Sequence, residues 1–315
     1  MITSSELGGL MAMMPAFATD DAGDPNTTSN TVSVPRLEAG LRRMIDDGAD
    51  VIATTGSFGE CHTLSMEEFE TIATVSAEIA KGRVPLFVGV TSLNTREVIR
   101  KMRIVAKTSA PGVLVGVPFY FPANAQTAVR FYRDIAEAFP QLAIMVYHNP
   151  PCHNITLKLP IMEELLKIPQ CVAMKDSHRT PVEFMRLMEM ARGKMSVFCN
   201  QLQYRTYAPL GSPGMWSINA WMGPWPLFAL RDAVKRGDME TATKITLEMA
   251  AVNDAPDLTW REALLKVATR HAGYVDPGPT RPPFAEIPPE LDAAQRKKAE
   301  KWKVLCDRYR VALAR

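Results

Sequence analysis

Long apolar runs, paired cysteines and an excess of one charge are all missing from this 315-residue sequence. No apolar run is long enough to cross a bilayer, and the N-terminus has no basic segment followed by an apolar core, so we expect no membrane partner. The formal net charge is only +2, and both signs are mixed along the chain. This charge pattern gives no reason to expect a nucleic-acid partner or an acidic surface as a partner.

The cysteines are also few, and their spacing forms no recognisable framework. The five cysteines are Cys61, Cys152, Cys171, Cys199 and Cys306. An odd, dispersed set without a CxxC pair is typical of a reducing compartment rather than of a disulfide-stabilised secreted domain. We therefore expect a cytoplasmic protein.

The sequence does contain a regular alternation of strand-like and helical patterns. Strands are predicted at residues 10–14, 50–54, 86–90, 113–117, 143–147, 172–174, 195–198 and 215–217. Helices are predicted between most of them, at residues 35–47, 66–81, 95–107, 125–139, 159–167, 182–191 and 225–236, with only a short helix at 204–210. Eight such units predict an α/β protein, a (β/α)8 TIM barrel. A doubly wound open sheet is disfavoured because no GxGxxG motif follows the first strand.

The strand pattern stops after residue 237. Helices are predicted at residues 239–253, 260–272 and 289–312, and prolines clustered at 277–289 are typical of a stiff linker. We predict that residues 1–237 form the barrel that carries the active site and that residues 238–315 form a C-terminal helical region.

One lysine ends a predicted buried strand, in the stretch CVAMKDSHRT at residues 171–180. Parallel α/β barrels carry their chemistry at the C-terminal ends of the strands, which is where Lys175 falls. Burial penalises the ammonium form of a lysine, and the neutral amine is the form that attacks a keto acid to make an imine. The alternative is a surface lysine paired with Asp176.

Polar residues follow other strands at the same end of the predicted barrel. Thr54, Thr55 and Gly56 follow the second strand and offer hydroxyl groups and a glycine turn to a small carboxylate, although an ordinary turn has the same residues. Tyr147 ends the fifth strand, where it is either a proton-transfer group or a packed aromatic residue. The segment 216–221 after the eighth strand supplies an aromatic and amide surface.

Three motifs together resemble a known family. ATTGSFGE at 53–60, YHNP at 147–150 and MKDS at 174–177, in this order and spacing, are similar to the dihydrodipicolinate synthase/N-acetylneuraminate lyase family. The resemblance covers roughly residues 6–270. It implies a class I, Schiff-base aldolase on a (β/α)8 barrel with a helical C-terminal region.

The resemblance also implies roles for single residues. Lys175 would form the imine and Tyr147 would shuttle protons. Thr54 and Thr55 would hold the pyruvate carboxylate, with Thr55 near Tyr147, and Gly56 would supply the turn. Because the imine is itself the electron sink, neither a metal nor an organic cofactor is expected.

Departures from the family pattern point to one branch. Cys152 stands where the synthase branch has an arginine, and Asn200 and Gln201 stand where sialic-acid lyases have acidic groups. The expected cavity wall is instead aromatic, with Phe58, Phe119, Tyr120, Phe121, Trp216 and Trp221. The GSFGE turn and the Tyr-x-Asn-Pro order resemble the hydratase-aldolases of aromatic-hydrocarbon breakdown, which cleave benzylidene-pyruvates into an aromatic aldehyde and pyruvate.

Further substrate contacts are expected around this wall. Trp216 would line the site, while Asn219 and Trp221 would orient the hydrating water and stack on the ring, although a tryptophan packed in the core is an equal reading of Trp221. Tyr120 matches a family tyrosine that crosses a dimer interface. The resemblance implies a homo-oligomer, typically a tetramer built as a dimer of dimers.

The ring substituent and the enzyme class leave alternatives open. Four histidines and an arginine follow predicted strands: His62, His148, His153, His178 and Arg179. These groups favour 2′-carboxybenzalpyruvate slightly over o-hydroxybenzylidenepyruvate as substrate. The rivals are an aldolase of 2-keto-3-deoxy sugar acids and a non-catalytic keto-acid-binding barrel. A third rival is a metal-dependent lyase or hydrolase using Glu60, His62, His148 and His153, for which HxH or HExxH spacing is absent.

Overall fold

Eight parallel strands close into one barrel in the computed structural model, which describes residues 1–176, 178–252 and 260–313. The strands are β1 (Gly9–Met13), β2 (Val51–Thr54), β3 (Leu86–Gly89), β4 (Gly112–Val115), β5 (Ala143–Tyr147), β6 (Cys171–Lys175), β7 (Ser196–Asn200) and β8 (Gly214–Ser217). Each strand pairs with the next in sequence, and β8 pairs with β1. The predicted (β/α)8 TIM barrel is confirmed.

Helices cover the outside of the barrel and extend beyond it. They are α1 (Val34–Asp46), α2 (Met66–Ala80), α3 (Thr95–Val105), α4 (Ala125–Ala138), α5 (Pro150–His153), α6 (Leu159–Leu165), α7 (Pro181–Ala191), α8 (Tyr204–Tyr207), α9 (Trp225–Lys235), α10 (Met239–Val252), α11 (Arg261–Ala272) and α12 (Pro289–Leu313). Helix α2 begins where its sequence signal lies, since Ser65 and Glu68 form a capping box. The short α5, directly after β5, was not predicted.

Alternate residues of the strands point to opposite sides of the barrel wall. One hydrophobic cluster fills the interior and includes Met145, Tyr147, Ala173 and Trp216. The other cluster packs the outer face of the strands against the helices. Because side chains alternate along a strand, Lys175 lies on the same side as Ala173. The end of β6 therefore presents its lysine to the barrel interior.

The C-terminal region packs back onto the barrel. Helix α12 contacts α9 and α11, and Trp302 in α12 donates a hydrogen bond of 3.0 Å to the carbonyl of Gly223. The proline-rich segment 277–289 was predicted to be a linker, and this was wrong: Arg281 within it is buried at the barrel mouth and bonded to Glu60. Among the described residues, no helix combines the length and apolarity that crossing a membrane demands. The division at residue 237 stays a prediction.

Candidate active site

Lys175 and Tyr147 are direct neighbours at the mouth of the barrel. They end β6 and β5, and the register of these two strands pairs one with the other. Lys175 is only 5% exposed, and its Nζ lies 4.8 Å from the centroid of the Tyr147 ring. The interval of 28 residues between them in the sequence therefore corresponds to adjacent positions on adjacent strands.

Trp216 at the end of β8 forms the floor under the lysine. The Nζ atom of Lys175 lies 3.6 Å from the centroid of the Trp216 ring, and the indole Nε1 donates a hydrogen bond of 2.8 Å to the carbonyl of Asp176. This bond fixes the ring plane from the same segment that carries the lysine. An aromatic face within this distance limits the positions that the amine can adopt.

The phenol of Tyr147 lies between two polar partners that the sequence did not reveal. Its oxygen is 3.0 Å from the hydroxyl of Ser57 and accepts a hydrogen bond of 3.3 Å from the amide Nδ2 of Asn149. Burial, reinforced by the nearby carboxylate of Glu262, raises the pKa of Tyr147, against the opposing effect of these two bonds. The phenol is therefore protonated near neutral pH, and its O–H is oriented by the amide that donates to its oxygen.

Replacing Ser57 by alanine is expected to lower kcat about tenfold, because the Tyr147 hydroxyl loses the partner that holds it near the lysine. Replacement by threonine keeps the hydroxyl and should retain most of the turnover. Steady-state kinetics of both variants would measure this difference, and equal losses in the two would show that the Ser57 hydroxyl has no part in turnover.

The turn after β2 has a strained backbone. Thr55 has a φ of 41°, a left-handed conformation that is rare for a β-branched residue. Its hydroxyl donates a hydrogen bond of 2.7 Å to the carbonyl of Gly89 and lies 3.1 Å from the hydroxyl of Thr54. A Cβ at Gly89 would come within 2.3 Å of the Thr55 carbonyl oxygen, so glycine is required there. Such strain is typical of functional turns.

The predicted carboxylate-binding residues lie behind the mouth cavities rather than in their lining. Thr54 and Thr55 are buried, and a Cβ at Gly56 would lie 3.8 Å from the ring of Tyr147. It is Ser57, and not Thr55, that contacts the Tyr147 hydroxyl. The structure thus brings the turn beside Tyr147 but places a different hydroxyl on the phenol.

Two connected cavities open at the barrel mouth. The smaller, of about 20 Å³, is lined by Lys175, Trp216, Phe58 and Asn149, among others. The larger, of about 500 Å³, is mainly apolar and is lined in part by Phe119 and Phe284. Both cavities share three lining residues, which are Ser57, Tyr147 and Glu262. The arrangement suits a small reacting group at Lys175 joined to a bulky flat group beyond it.

Three further residues predicted to contact substrate also lie outside the lining of both cavities. Trp221 is fully buried and packs edge-on against Phe17, with their ring centroids 5.8 Å apart. Its indole is enclosed in the outer core, so in this conformation a substrate ring cannot stack on it. Asn219 is buried at the start of the short 3-10 helix that also contains Trp221. Tyr120 is 73% exposed and packs against Phe121, with their ring centroids 5.0 Å apart.

A buried hydrogen-bond network supports the end of β6. Asp176 accepts bonds of 2.6 Å from Nδ1 of His148 and from Arg179, and His148 Nε2 accepts a bond of 3.2 Å from the Leu157 amide. His148 is therefore the neutral Nδ1–H tautomer, and burial, the largest effect, lowers its pKa. This network holds the segment that carries Lys175 in place. His148 and Arg179, which follow β5 and β6 in the sequence, therefore have a structural role here.

The network also decides the one candidate metal site found among the described residues. His148, Asp176 and His178 have ligand atoms within 4.8 Å of one another. Both ring nitrogens of His148 and both carboxylate oxygens of Asp176 already have protein partners, as described above. The geometry is therefore that of a structural network.

Asp176→Asn is expected to reduce the free energy of unfolding by about 3–5 kcal/mol at pH 7, because it leaves Arg179 buried without its counter-charge. Burial alone would raise the pKa of Asp176, but the bonds from His148 and Arg179 hold it well below its usual range. A carboxyl with a depressed folded-state pKa stabilises above its unfolded pKa, about 3.9, and loses that contribution as the pH falls.

Urea unfolding of wild type and Asp176→Asn at pH 7 and below pH 4 would measure this, with a difference that shrinks at the lower pH. Asp134→Asn is the control, because Asp134 pairs with Arg130 on the surface, where such a change costs about 0.5 kcal/mol or less. Similar losses in the two variants would contradict the role given to Asp176.

Two other predicted histidines border the larger cavity in their neutral state. Burial lowers the pKa of His153 to about 4, and the charge of Lys175 acts in the same direction. Burial also lowers the pKa of His62, against the opposing effect of Glu60. His153 packs edge-on against Tyr147, with their ring centroids 4.9 Å apart. These rings therefore form part of the cavity wall without adding positive charge to it.

A second buried charge cluster anchors the segment that covers the larger cavity. Glu60 accepts bonds of 3.0 Å from Lys266 and 2.5 Å from Arg281, and Arg281 also donates 2.8 Å to the hydroxyl of Thr31. Burial lowers the pKa of Lys266 to about 8. Because Lys266 and Arg281 already bind the Glu60 carboxylate, the geometry gives no support to a metal-dependent enzyme that uses Glu60 as a ligand.

Three residues of the site escaped the sequence reasoning. Ser57 and Asn149 lie inside the quoted motifs, two positions beyond Thr55 and Tyr147, and their polarity was the available signal. Glu262 lies in α11, about 90 residues after Lys175, where no motif marks it. Ser177 of the MKDS motif lies outside the described residues.

The sequence of this chain is similar to that of a known protein family over most of its length. The model of the dihydrodipicolinate synthetase family matches residues 24–301. A trans-o-hydroxybenzylidenepyruvate hydratase-aldolase from Pseudomonas putida is 32% identical, over 98% of this chain and 96% of that protein. A trans-2′-carboxybenzalpyruvate hydratase-aldolase from a Nocardioides strain is 25% identical, over 99% and 98% of the two chains.

Solved structures extend this similarity to the fold. A structure described as PhdJ bound to substrate intermediate superposes with a TM-score of 0.91 at 30% identity, covering 98% of this chain and 99% of that one. A sialic acid aldolase from Ruminococcus gnavus superposes with a TM-score of 0.86 at 16% identity, which is a likeness of fold alone. The predicted resemblance is confirmed.

Proposed function

This chain belongs to the dihydrodipicolinate synthetase family, and from that premise we propose that it is a hydratase-aldolase that cleaves aryl-substituted 2-oxobut-3-enoates. The products are an aromatic aldehyde and pyruvate, so the enzyme is a carbon–carbon lyase. The observation that carries this conclusion is the apolar cavity of about 500 Å³ that joins the Lys175 site through Tyr147 and Ser57. A flat ring attached to a keto acid requires such a two-part site.

The reaction begins with an imine at Lys175. The carboxylate of the substrate points toward the turn of Thr54, Thr55 and Gly56, which lies directly behind the cavity lining, with Gly56 beside Tyr147. The neutral amine attacks the ketone carbon, and water leaves. The resulting protonated imine withdraws electrons from the conjugated double bond, so the carbon that bears the ring becomes open to attack by water. The protonated imine on Lys175 serves as the electron sink, so the proposal requires no metal or organic cofactor.

Hydration and cleavage follow at the two carbons beyond the imine. Water adds its oxygen to the ring-bearing carbon and a proton to its neighbour, which gives a β-hydroxy imine. Tyr147, held by Ser57 and Asn149, relays the hydroxyl proton away. The carbon–carbon bond breaks, its electron pair moves into the enamine, and the aldehyde leaves. Protonation of the enamine and hydrolysis release pyruvate and restore Lys175.

The sugar-acid alternative finds less support in the cavity. An aldolase of 2-keto-3-deoxy sugar acids would need polar groups for several hydroxyls, and the larger cavity instead exposes aromatic rings such as Phe119, Trp260 and Phe284. A non-catalytic keto-acid-binding barrel would keep the imine but give no products. Both alternatives are separated from the proposal by what the enzyme turns over.

The test is an assay with benzylidenepyruvates and with a 2-keto-3-deoxy sugar acid. We expect the conjugated absorbance of the former to disappear, with aldehyde and pyruvate formed in equal amounts. Faster release of pyruvate from the sugar acid would transfer the assignment to that branch. Imine formation with pyruvate but no cleavage of either substrate would identify a binding protein.

We also propose that the chain works as a homo-oligomer, a tetramer built as a dimer of dimers, in the cytoplasm. Tyr120 and Phe121 are 73% and 77% exposed and pack edge to face, and two exposed aromatic rings side by side are typical of an interface. All five cysteines are free thiols, as a reducing compartment would keep them. Analytical ultracentrifugation of wild type and Tyr120→Ala would test the assembly.

A further inference from the structure

We propose that Glu262 selects the substituent on the ring, accepting an ortho-hydroxyl as a hydrogen-bond donor and rejecting an ortho-carboxylate. This inference rests on the proposed function and goes beyond it, because it chooses between the two ring types that the sequence left open. Glu262 is the second residue of α11 and lines both cavities at the mouth of the barrel.

Glu262 lies where the two cavities meet, and the ring of a substrate bound to Lys175 must pass this point. On one side its neighbours in the cavity wall are Lys175 and Trp216; on the other they are Phe119 and Phe284. One oxygen of its carboxyl, Oε2, is shielded from solvent. A substrate joined to Lys175 through its keto carbon and extending into the larger cavity passes this carboxyl where its ring begins.

Among the cavity-lining residues that the structure describes, the charges disfavour a second carboxylate. Arg281 borders the larger cavity, but its guanidinium is bonded to Glu60 and Thr31. His153 carries no positive charge at neutral pH, because burial lowers its pKa to about 4. Arg179, which favoured a carboxylated ring in the sequence, is buried against Asp176. A carboxylate beside Glu262 would thus meet a like charge at the cavity wall.

A hydroxyl on the ring meets the opposite situation. The hydroxyl can donate a hydrogen bond to the Glu262 carboxylate. A hydrogen bond to a charged acceptor is among the stronger ones in proteins. A site that binds a substrate through such a bond discriminates strongly against an analogue that cannot make it. His178 also lines the smaller cavity. Its protonation would favour a carboxylated ring, so the comparison should be made at pH 8, above the usual titration of histidine.

The experiment compares three substrates, o-hydroxybenzylidenepyruvate, 2′-carboxybenzalpyruvate and unsubstituted benzylidenepyruvate, with wild type and Glu262→Gln. For wild type we expect kcat/KM to be at least about tenfold higher with the hydroxylated than with the carboxylated ring. In Glu262→Gln this ratio should fall by about tenfold or more, mainly through improved use of the carboxylated substrate. The unsubstituted substrate corrects for any general loss of turnover.

Glu240→Gln is the matched control, because Glu240 is also the second residue of its helix, α10, and lies away from the barrel mouth. It should leave the ratio as in wild type. Inhibition of wild type by salicylaldehyde and by 2-carboxybenzaldehyde gives a second measurement that needs no variant, and the former should bind more tightly.

The outcomes separate the two proposals. A ratio in Glu262→Gln equal to that of wild type, or a wild type that prefers the carboxylated ring, would overturn the role of Glu262 while leaving the hydratase-aldolase intact. If wild type turned over none of the three substrates although borohydride trapped pyruvate on it, the proposed function would fail and this inference with it.

Discussion

Lys175→Ala is expected to abolish covalent capture of pyruvate and to lower turnover about 10⁴-fold or more, as the loss of a nucleophile does in other covalent enzymes. Lys175 lies at the end of β6 against the faces of Tyr147 and Trp216. Removing its amine removes both the bond to the substrate and the electron sink for cleavage. No other group among the described cavity-lining residues is a primary amine.

The measurement is borohydride reduction with pyruvate, followed by tryptic digestion and mass mapping. Trypsin does not cleave after a reduced lysine adduct, so wild type should give the modified peptide 168–179. Lys101→Met is the control, because Lys101 is another buried lysine, placed on α3 over the ring of Phe69. A pyruvate adduct that persists in Lys175→Ala, or that disappears in Lys101→Met, would refute the assignment.

Tyr147→Phe is expected to lower kcat by about 10²–10³-fold while leaving imine formation detectable. The change keeps the ring against Lys175 and removes only the oxygen that Ser57 and Asn149 hold in place. Because burial raises the pKa of this phenol, it gives and takes its proton within a relay rather than acting as a free phenolate. Proton transfer, not attack of the amine, should therefore suffer.

Single-turnover kinetics alongside borohydride trapping would separate these steps. Tyr132→Phe is a suitable control, since Tyr132 is a buried tyrosine whose hydroxyl donates 2.9 Å to the carbonyl of Val115, on the outer side of the barrel. It should lose stability and keep its turnover. Turnover of Tyr147→Phe within about twofold of wild type would mean that another group carries the proton.

Much of the architecture could be predicted because it depends on local patterns. Strand β5 was predicted with the bounds that the structure gives it, Ala143–Tyr147, and its apolar run ends where the polar residues His148 and Asn149 begin. Helix α2 begins at its capping box. Fully buried strands alternating with amphipathic helices fit few folds other than a parallel barrel, and the strand-end rule then placed Lys175 at the mouth.

The contacts of the site could not be predicted in the same way. Ser57 and Tyr147 are 90 residues apart, and Lys266 reaches Glu60 across 206 residues. From the sequence, Trp221 was either a ring-stacking residue or a core residue, and its packing against Phe17 places it in the core. From the sequence, the histidines and Arg179 were expected to give the cavity positive charge. In the structure Arg179 is paired with Asp176, and burial lowers the pKa of His148 and of His153.

The sequence by itself determined the barrel and the family, and it placed Lys175 at the end of a strand, because periodicity, capping and short ordered motifs act over a few neighbouring residues. Only the tertiary structure decided which hydroxyl meets the phenol, which charges are neutralised and that Glu262 lines both cavities at the barrel mouth. These depend on how distant segments pack and on how burial changes the energy of a charge, and neither is written in a local stretch of the chain.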